Sequence, residues 1–245
     1  MNRFKIIIQY DGTHFCGWQL QKDKRTVQGL VEKVLRMVFN HDKRIPVHGS
    51  GRTDSGVHSF GQVAHFDFYS KLSSDIIKKS INSKLPEDCQ IMEVKRVPQS
   101  FHSRYNAIKR LYRYQCYVGD SILNRNQSWL IKKIDIERLN KMSEMIKGEH
   151  DFLSFSKYNR DKKNTICIIY HTEWKKMNQY VMFFILGNRF LHHMVRYLVG
   201  TMVNTFHKNN FKQNFSNLIS KPSKSAYVHK APAQGLFLDS VFYEK

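Results

Sequence analysis

The sequence predicts an α+β protein made of two α/β sandwich halves, and three observations carry that prediction. The order strand, helix, strand, helix, strand is legible before residue 100, and a similar rhythm returns after residue 110. Hydrophobic residues make up 41% of the chain and charged residues 24%, a balance that builds a globular core. The longest unbroken apolar run, Tyr180 to Leu186, is far short of the roughly 18 residues that a membrane-spanning helix needs. The 245 residues suffice for one large domain or two small ones. Nothing rich in proline or glycine separates the halves, so residues 1–108 and 109–245 are expected to pack rigidly with a cleft where they meet.

Lys5 to Tyr10 is a β-branched run closed by Asp11-Gly12, which reads as a buried strand ending in a turn. From Val27 to Val38 apolar residues recur at helical spacing, with Thr26 placed as the N-cap. Gly49 to Gly61 is punctuated by glycines and serines and reads as a loop. Val63–Phe68 alternates as a strand, Ser74–Lys84 reads as a helix, and Gln90–Val97 alternates again. The second half repeats the pattern: strand Leu111–Val118, helix Asp135–Lys147 stopped by Gly148, and strands Thr165–Trp174 and Tyr180–Leu186. Helix Phe190–Phe206 and strand Leu236–Phe242 complete the expectation.

Lys and Arg number 40 against 20 Asp and Glu, a formal net charge of +20 that favours a polyanionic partner such as nucleic acid. The four cysteines are widely spaced, with no C-x-x-C pair, which argues against a zinc site or a disulfide framework. His192-His193 is the one adjacent histidine pair. Neighbours on a helix point about 100° apart, so the pair reads as core or RNA-facing rather than metal-binding. Met1 to Ile8 passes from a basic start directly into a strand pattern, so the chain reads as cytoplasmic and unprocessed.

The richest polar stretch is Gly51-Arg52-Thr53-Asp54-Ser55-Gly56-Val57-His58, followed by Gly61-Gln62-Val63. Glycines on both sides let the backbone turn sharply and place Asp54 in a loop rather than in a packed element. The residues alone leave two readings of Asp54. It is a turn-capping aspartate, or a carboxylate available as nucleophile, base or metal ligand.

The run Arg52-Thr53-Asp54-x-Gly56-Val57-His58-x-x-Gly61-Gln62-Val63 resembles the signature of the tRNA pseudouridine synthases of the TruA family. Further matches fall in order: Tyr10-Asp11-Gly12-Thr13-x-Phe15-x-Gly17-Trp18-Gln19, Thr26-Val27-Gln28, Asn82-x-x-Leu85-Pro86 and Phe101-His102-x-Arg104. Then come Arg110-x-Tyr112-x-Tyr114, Phe152-x-x-Phe155, Phe190-Leu191-x-His193-Met194-Val195-Arg196-x-x-Val199-Gly200, and Ala231-Pro232-x-x-Gly235-Leu236. The resemblance spans Tyr10 to Leu238. It departs at Ser55, where the family usually has Ala, at Asn164, where an Arg is usual, and at Gln234, where Glu is frequent.

The resemblance implies two RRM-like or ferredoxin-like halves with mostly antiparallel sheets, packed around a basic active-site cleft. It implies Asp54 as the catalytic carboxylate, Tyr112 as an active-site residue and Arg196 as the cation beside Asp54. Burial alone disfavours an ionised carboxylate and a nearby cation restores it, so the pairing is chemically apt. Tyr112 on a strand suits stacking on an extruded base, with its hydroxyl near C5. Arg52 is expected to grip a phosphate or fill the space of the flipped base, and His58 to contact RNA or brace the loop. The implied reaction isomerises uridine at positions 38, 39 and 40 of the tRNA anticodon stem-loop, through C1′ or C6, with no metal and no cofactor. Tritium release from C5 would report it. The implied assembly is a homodimer. Two other readings are a non-catalytic RNA-binding protein of two RRM-like units and a metal-dependent nuclease built on Asp54, His58 and His65.

Overall fold

A computed structural model describes residues 1–157 and 164–244. The chain divides into two units, Met1–Ile108 joined by the residues from Leu238 onward, and Lys109–Phe237.

In the first unit, strand Asn2–Tyr10 (β1) alternates as its sequence dictates, burying Phe4, Ile6, Ile8 and Tyr10. Helix Val27–Val38 (α1) starts at Thr26, whose side chain accepts from Gly29 N. It turns Val27, Val31, Val34 and Leu35 onto the same core. A two-residue strand, His48–Gly49 (β2), precedes strand His58–Phe68 (β3). Helix Ser74–Asn82 (α2), capped by Ser73, adds Ile77 and Ile81 to the core, and strand Cys89–Val97 (β4) closes the set. β1 pairs antiparallel with both β3 and β4, and β2 pairs antiparallel with β3.

The second unit takes up strand Ala107–Val118 (β5) from Lys109 onward, and this strand pairs in parallel with Trp129–Ile131 (β6). Helix Ile136–Glu144 (α3) follows its Asp135 cap, then strand Gly148–Asp151 (β7). Strands Ile166–Met177 (β8) and Tyr180–Gly187 (β9) extend an antiparallel sheet in the order β5-β9-β8-β7. Helices Met194–Thr205 (α4) and Phe211–Ser220 (α5) complete it before the last strand, Leu236–Tyr243 (β10). Val181, Phe183 and Ile185 of β9 and Leu198, Val199 and Met202 of α4 are all buried. The architecture is α+β with mostly antiparallel pairing.

Several expected boundaries are corrected. The loop expected to run to Gly61 ends at His58, where β3 begins. Gly61 serves a close approach in the sheet: a Cβ there would stand 2.7 Å from the Asp239 carbonyl oxygen. The helix expected from Phe190 begins at Met194, because His193 adopts a left-handed backbone (φ 64°) that cannot continue a helix. His192 and His193 are not core residues; their rings stack 3.9 Å apart and His192 is exposed. α2 stops two residues early, and α3 gives way after Glu144 to tighter turns ending at Gly148 (φ 94°). The half expected over 109–245 loses its end, since the residues from Leu238 belong to the first unit, where β10 lies beside β3. There Ser59 Oγ donates to the Leu238 carbonyl and Tyr243 OH to that of Ser103. Lys5 Nζ lies over the rings of Phe101 and Tyr243.

One buried ring on β3 makes the first unit sensitive to acid. His65 is 2% exposed, with its Nδ1 3.2 Å from Ser103 N and 2.9 Å from Ser103 Oγ. Burial, reinforced by the charges of Arg3, His102 and His48 and opposed by Asp67, lowers its pKa to about 4. An unfolded histidine titrates near 6.5, so between those values the unfolded chain holds a proton that the folded chain refuses. This stabilisation is complete above pH 6.5 and is lost progressively as pH falls toward 4. Urea unfolding between pH 7 and 5 is expected to show His65→Gln with a shallower pH slope than the parent, by up to about 1.4 kcal/mol per pH unit. Equal slopes would remove His65 as the cause.

Candidate active site

The loop that carries Asp54 is fastened to the turn after β1. Trp18 N donates to the Thr53 carbonyl at 3.1 Å, and Gly56 N donates to the Phe15 carbonyl at 3.3 Å. Val57 N donates to the Asp54 carbonyl, closing a four-residue turn in which Gly56 takes φ 77°. Asp54 therefore opens a tight turn, half-buried. From below, Tyr10 OH meets Thr53 Oγ1 at 2.8 Å, and Ser55 Oγ donates to the Phe15 carbonyl, a bond that the family's usual alanine cannot make. The approach leaves no room for a side chain at Gly12 or Gly17. A Cβ on Gly12 would stand 2.1 Å from the Val57 oxygen, and one on Gly17 would stand 2.6 Å from the Thr53 oxygen at φ 83°. Ser50 Oγ to Gln62 Oε1 (2.7 Å) and Gln62 Nε2 to the Gly51 carbonyl (2.9 Å) fix the other end of the loop.

Arg52 is exposed, with its Nε donating to Gln19 Oε1 at 3.0 Å. His58 is buried; its Nδ1 accepts from Gly12 N at 3.0 Å and lies 3.1 Å from Asp11 Oδ1. Of its two expected roles, the geometry is that of a brace. Among the described residues, Asp54, His58 and His65 do not bring three ligand atoms within reach of one ion. Sequence reading missed Glu32 and gave no role to Gln19 or Gln28. The legible signal was a pair of polar residues four apart, Gln28 and Glu32, on the apolar stripe of α1.

The second unit carries the other two expected residues. Tyr112 shares a face of β5 with the buried Tyr114 and Cys116 and sits where that row becomes half-buried, opposite Ile185. The Phe190 ring meets Tyr112 edge-on, with centroids 5.0 Å apart. Arg196 lies in the first turn of α4, 9% exposed, with Nε donating to the Ala231 carbonyl at 2.9 Å while Ala231 N donates back to the Arg196 carbonyl. The same Ala231–Gly235 segment receives Tyr114 OH on the Pro232 carbonyl at 2.8 Å. Burial holds the Tyr114 hydroxyl well above the usual phenol range, with Cys116 adding to this and Arg196 opposing it. The segment thus ties the Tyr strand to the Arg helix. Asn164 begins the run into β8, its side chain accepting from Ile166 N, and Arg189 Nη2 donates to its carbonyl at 3.3 Å. A guanidinium therefore stands beside the position where the family usually has Arg.

Residues 6–106 and 142–244 match the family model described as tRNA pseudouridine synthase. The chain belongs to that family. It is 39% identical to a "tRNA pseudouridine synthase A" of Maridesulfovibrio salexigens, over 99% of this chain and 91% of that protein. Proteins of the same description from Ligilactobacillus salivarius (36%, covering 99% and 97%) and a Geobacillus strain (37%, covering 99% and 98%) are similar along their whole length. The chain is an isomerase of the pseudouridine synthase class.

The tight clasp makes glycine at 17 a requirement of the synthase. Gly17→Ala is expected to cost about 1–3 kcal/mol for the left-handed backbone alone. Displacement of the Thr53 carbonyl would add a loss of pseudouridine formation beyond the loss of folded protein. Thermal melts and single-turnover assays at a temperature where the variant is folded separate the two, and full activity there would show that the clasp does not position Asp54.

Proposed function

We propose that this enzyme converts uridine to pseudouridine at positions 38, 39 and 40 of the tRNA anticodon stem-loop, with Asp54 as nucleophile and Tyr112 and Arg196 as its partners. The observation that carries the reading is Asp54: a carboxylate at the head of a turn whose backbone is bonded to Phe15 and Trp18, within the run Arg52 to Val63. The reaction breaks the C1′–N1 bond, turns the base and joins C1′ to C5. C5 loses a proton and N1 gains one, so nothing is consumed. A carboxylate can add at C1′ or C6 and then leave, which suits this cycle. Tyr112 supplies a ring for the extruded base and a hydroxyl for the C5 proton. Arg196 is pinned through Nε, and by the resemblance to the family its guanidinium is the cation that serves the carboxylate. Arg52 meets the RNA backbone and His58 holds the loop from beneath. The enzyme is further proposed to be a homodimer, as the resemblance implies, and to act in the cytoplasm.

Asp54→Asn keeps the size of the side chain and removes the nucleophile. Turnover is expected to fall at least about 10⁴-fold, with tRNA affinity unchanged within a few-fold. The assay is tritium release from tRNA labelled at uridine C5, and substantial release by the purified variant would sink the role of Asp54.

The +20 surface is proposed to grip the tRNA backbone by counterion release. About five phosphate contacts give a slope of log affinity against log salt near −4, so a fourfold rise in salt weakens binding by roughly two to three orders of magnitude. Single-turnover rates at saturating tRNA should change little. Salt-independent binding would mean that the charge is only a solvated surface.

A further inference from the structure

We infer that Gln19 is a positioning residue for Arg52, the last link of a hydrogen-bonded relay that runs from buried Glu32 through Gln28 and sets the direction in which the Arg52 guanidinium is presented to RNA. The inference rests on the reading of Arg52 as a backbone-gripping residue.

The relay begins with groups that can only accept. Glu32 on α1 is 4% exposed, and its carboxylate receives Arg44 Nε and Nη2 at 2.7 and 2.9 Å and Val47 N at 3.0 Å. Gln28, one turn earlier, faces Glu32 Oε1 and the Val47 carbonyl, both at 3.1 Å. Both neighbours are acceptors, so Gln28 must turn its NH₂ toward them and its oxygen away. That oxygen receives Leu20 N and Gln19 Nε2, each at 2.8 Å. Gln19 must therefore spend its NH₂ on Gln28, and its own oxygen is left facing Arg52 Nε at 3.0 Å. An amide rotated by 180° anywhere in the chain would set donor against donor or acceptor against acceptor. One carboxylate thus decides the orientation of two amides, and the second of them decides where Arg52 points.

The arrangement has a use at its exposed end. Arg52 is held through Nε, while Nη1 and Nη2 have no hydrogen-bond partner among the described residues. A phosphate takes a guanidinium bidentately, and a fork already fixed in direction loses less freedom on binding than a loose one. Arg52 lies two residues before Asp54, so a phosphate seated on it is registered against the carboxylate. The relay residues are not assigned to the reacting atoms. Their contribution passes through Arg52.

A double-mutant cycle in tRNA affinity tests this with the full-length parent, Gln19→Leu, Arg52→Ala and the double variant, at several salt concentrations. Arg52→Ala is expected to weaken binding about tenfold and to reduce the salt slope by about one. Gln19→Leu should weaken binding about threefold in the parent and less than twofold once Arg52 is gone. A change in melting temperature common to both Gln19→Leu proteins would not produce that asymmetry. An equal penalty in both backgrounds, or no penalty in the parent, overturns the relay. Tritium release by the parent is measured alongside. Its absence would sink the isomerisation at Asp54, while the binding cycle would still decide the role of Gln19.

Discussion

The first unit is organised around two backbone hydrogen bonds, Trp18 N to the Thr53 carbonyl and Gly56 N to the Phe15 carbonyl, which press the Asp54 loop onto the turn after β1. Contacts this close exclude side chains, so glycine is needed at 12 and 17. The same turn also starts α1: the Gly17 and Trp18 carbonyls accept from Val27 and Gln28 N, joining the turn to the helix that carries Gln28 and Glu32. Strand end, helix start and loop are one assembly. A disturbance at any of the three reaches Asp54 through hydrogen bonds of about 3 Å rather than through a mobile tether.

The second unit solves a related problem with different parts. A guanidinium near the start of a helix whose neighbours are Met194, Val195 and Leu198 cannot be left to wander, because an unsatisfied buried charge is costly. The Ala231 carbonyl fixes Arg196 Nε, and the segment bearing that carbonyl is itself held by Tyr114 OH. Gly200 is required there, since a Cβ would stand 2.3 Å from the His229 oxygen. In both units the residue proposed to act, Asp54 or Arg196, is held in place by bonds to main-chain groups, which do not change rotamer.

Most long elements were legible because their periodicity is strong. β1 and β9 alternate cleanly, and α1 has an apolar stripe with a threonine at its head. Other features have weak local signals. α5 buries only Phe211 and Phe215 within an asparagine- and lysine-rich stretch, and β7 is four mostly polar residues recruited by pairing with β8. The strand role of Gly61 is decided by its approach to Asp239, which no local window contains, and the left-handed backbone of His193 carries no periodic signal. Of the site, the loop and its glycines stood out in the sequence. The direction of the Gln19 and Gln28 amides did not, because it follows from which groups surround them in space.

The placement of β10 has a consequence for how the protein is made. Ser59 is bonded to the Leu238 carbonyl and Ser103 to Tyr243, pairings separated by 179 and 140 residues. Synthesis runs from the N-terminus, so residues 1–108 leave the ribosome with the part of the β3 edge beside β10 still open, and the second unit must follow before the covering strand arrives. An open sheet edge is a template for wrong pairing, and contacts this distant in sequence form slowly. The first unit, which carries Asp54, is therefore begun before the second unit is made and finished only after it.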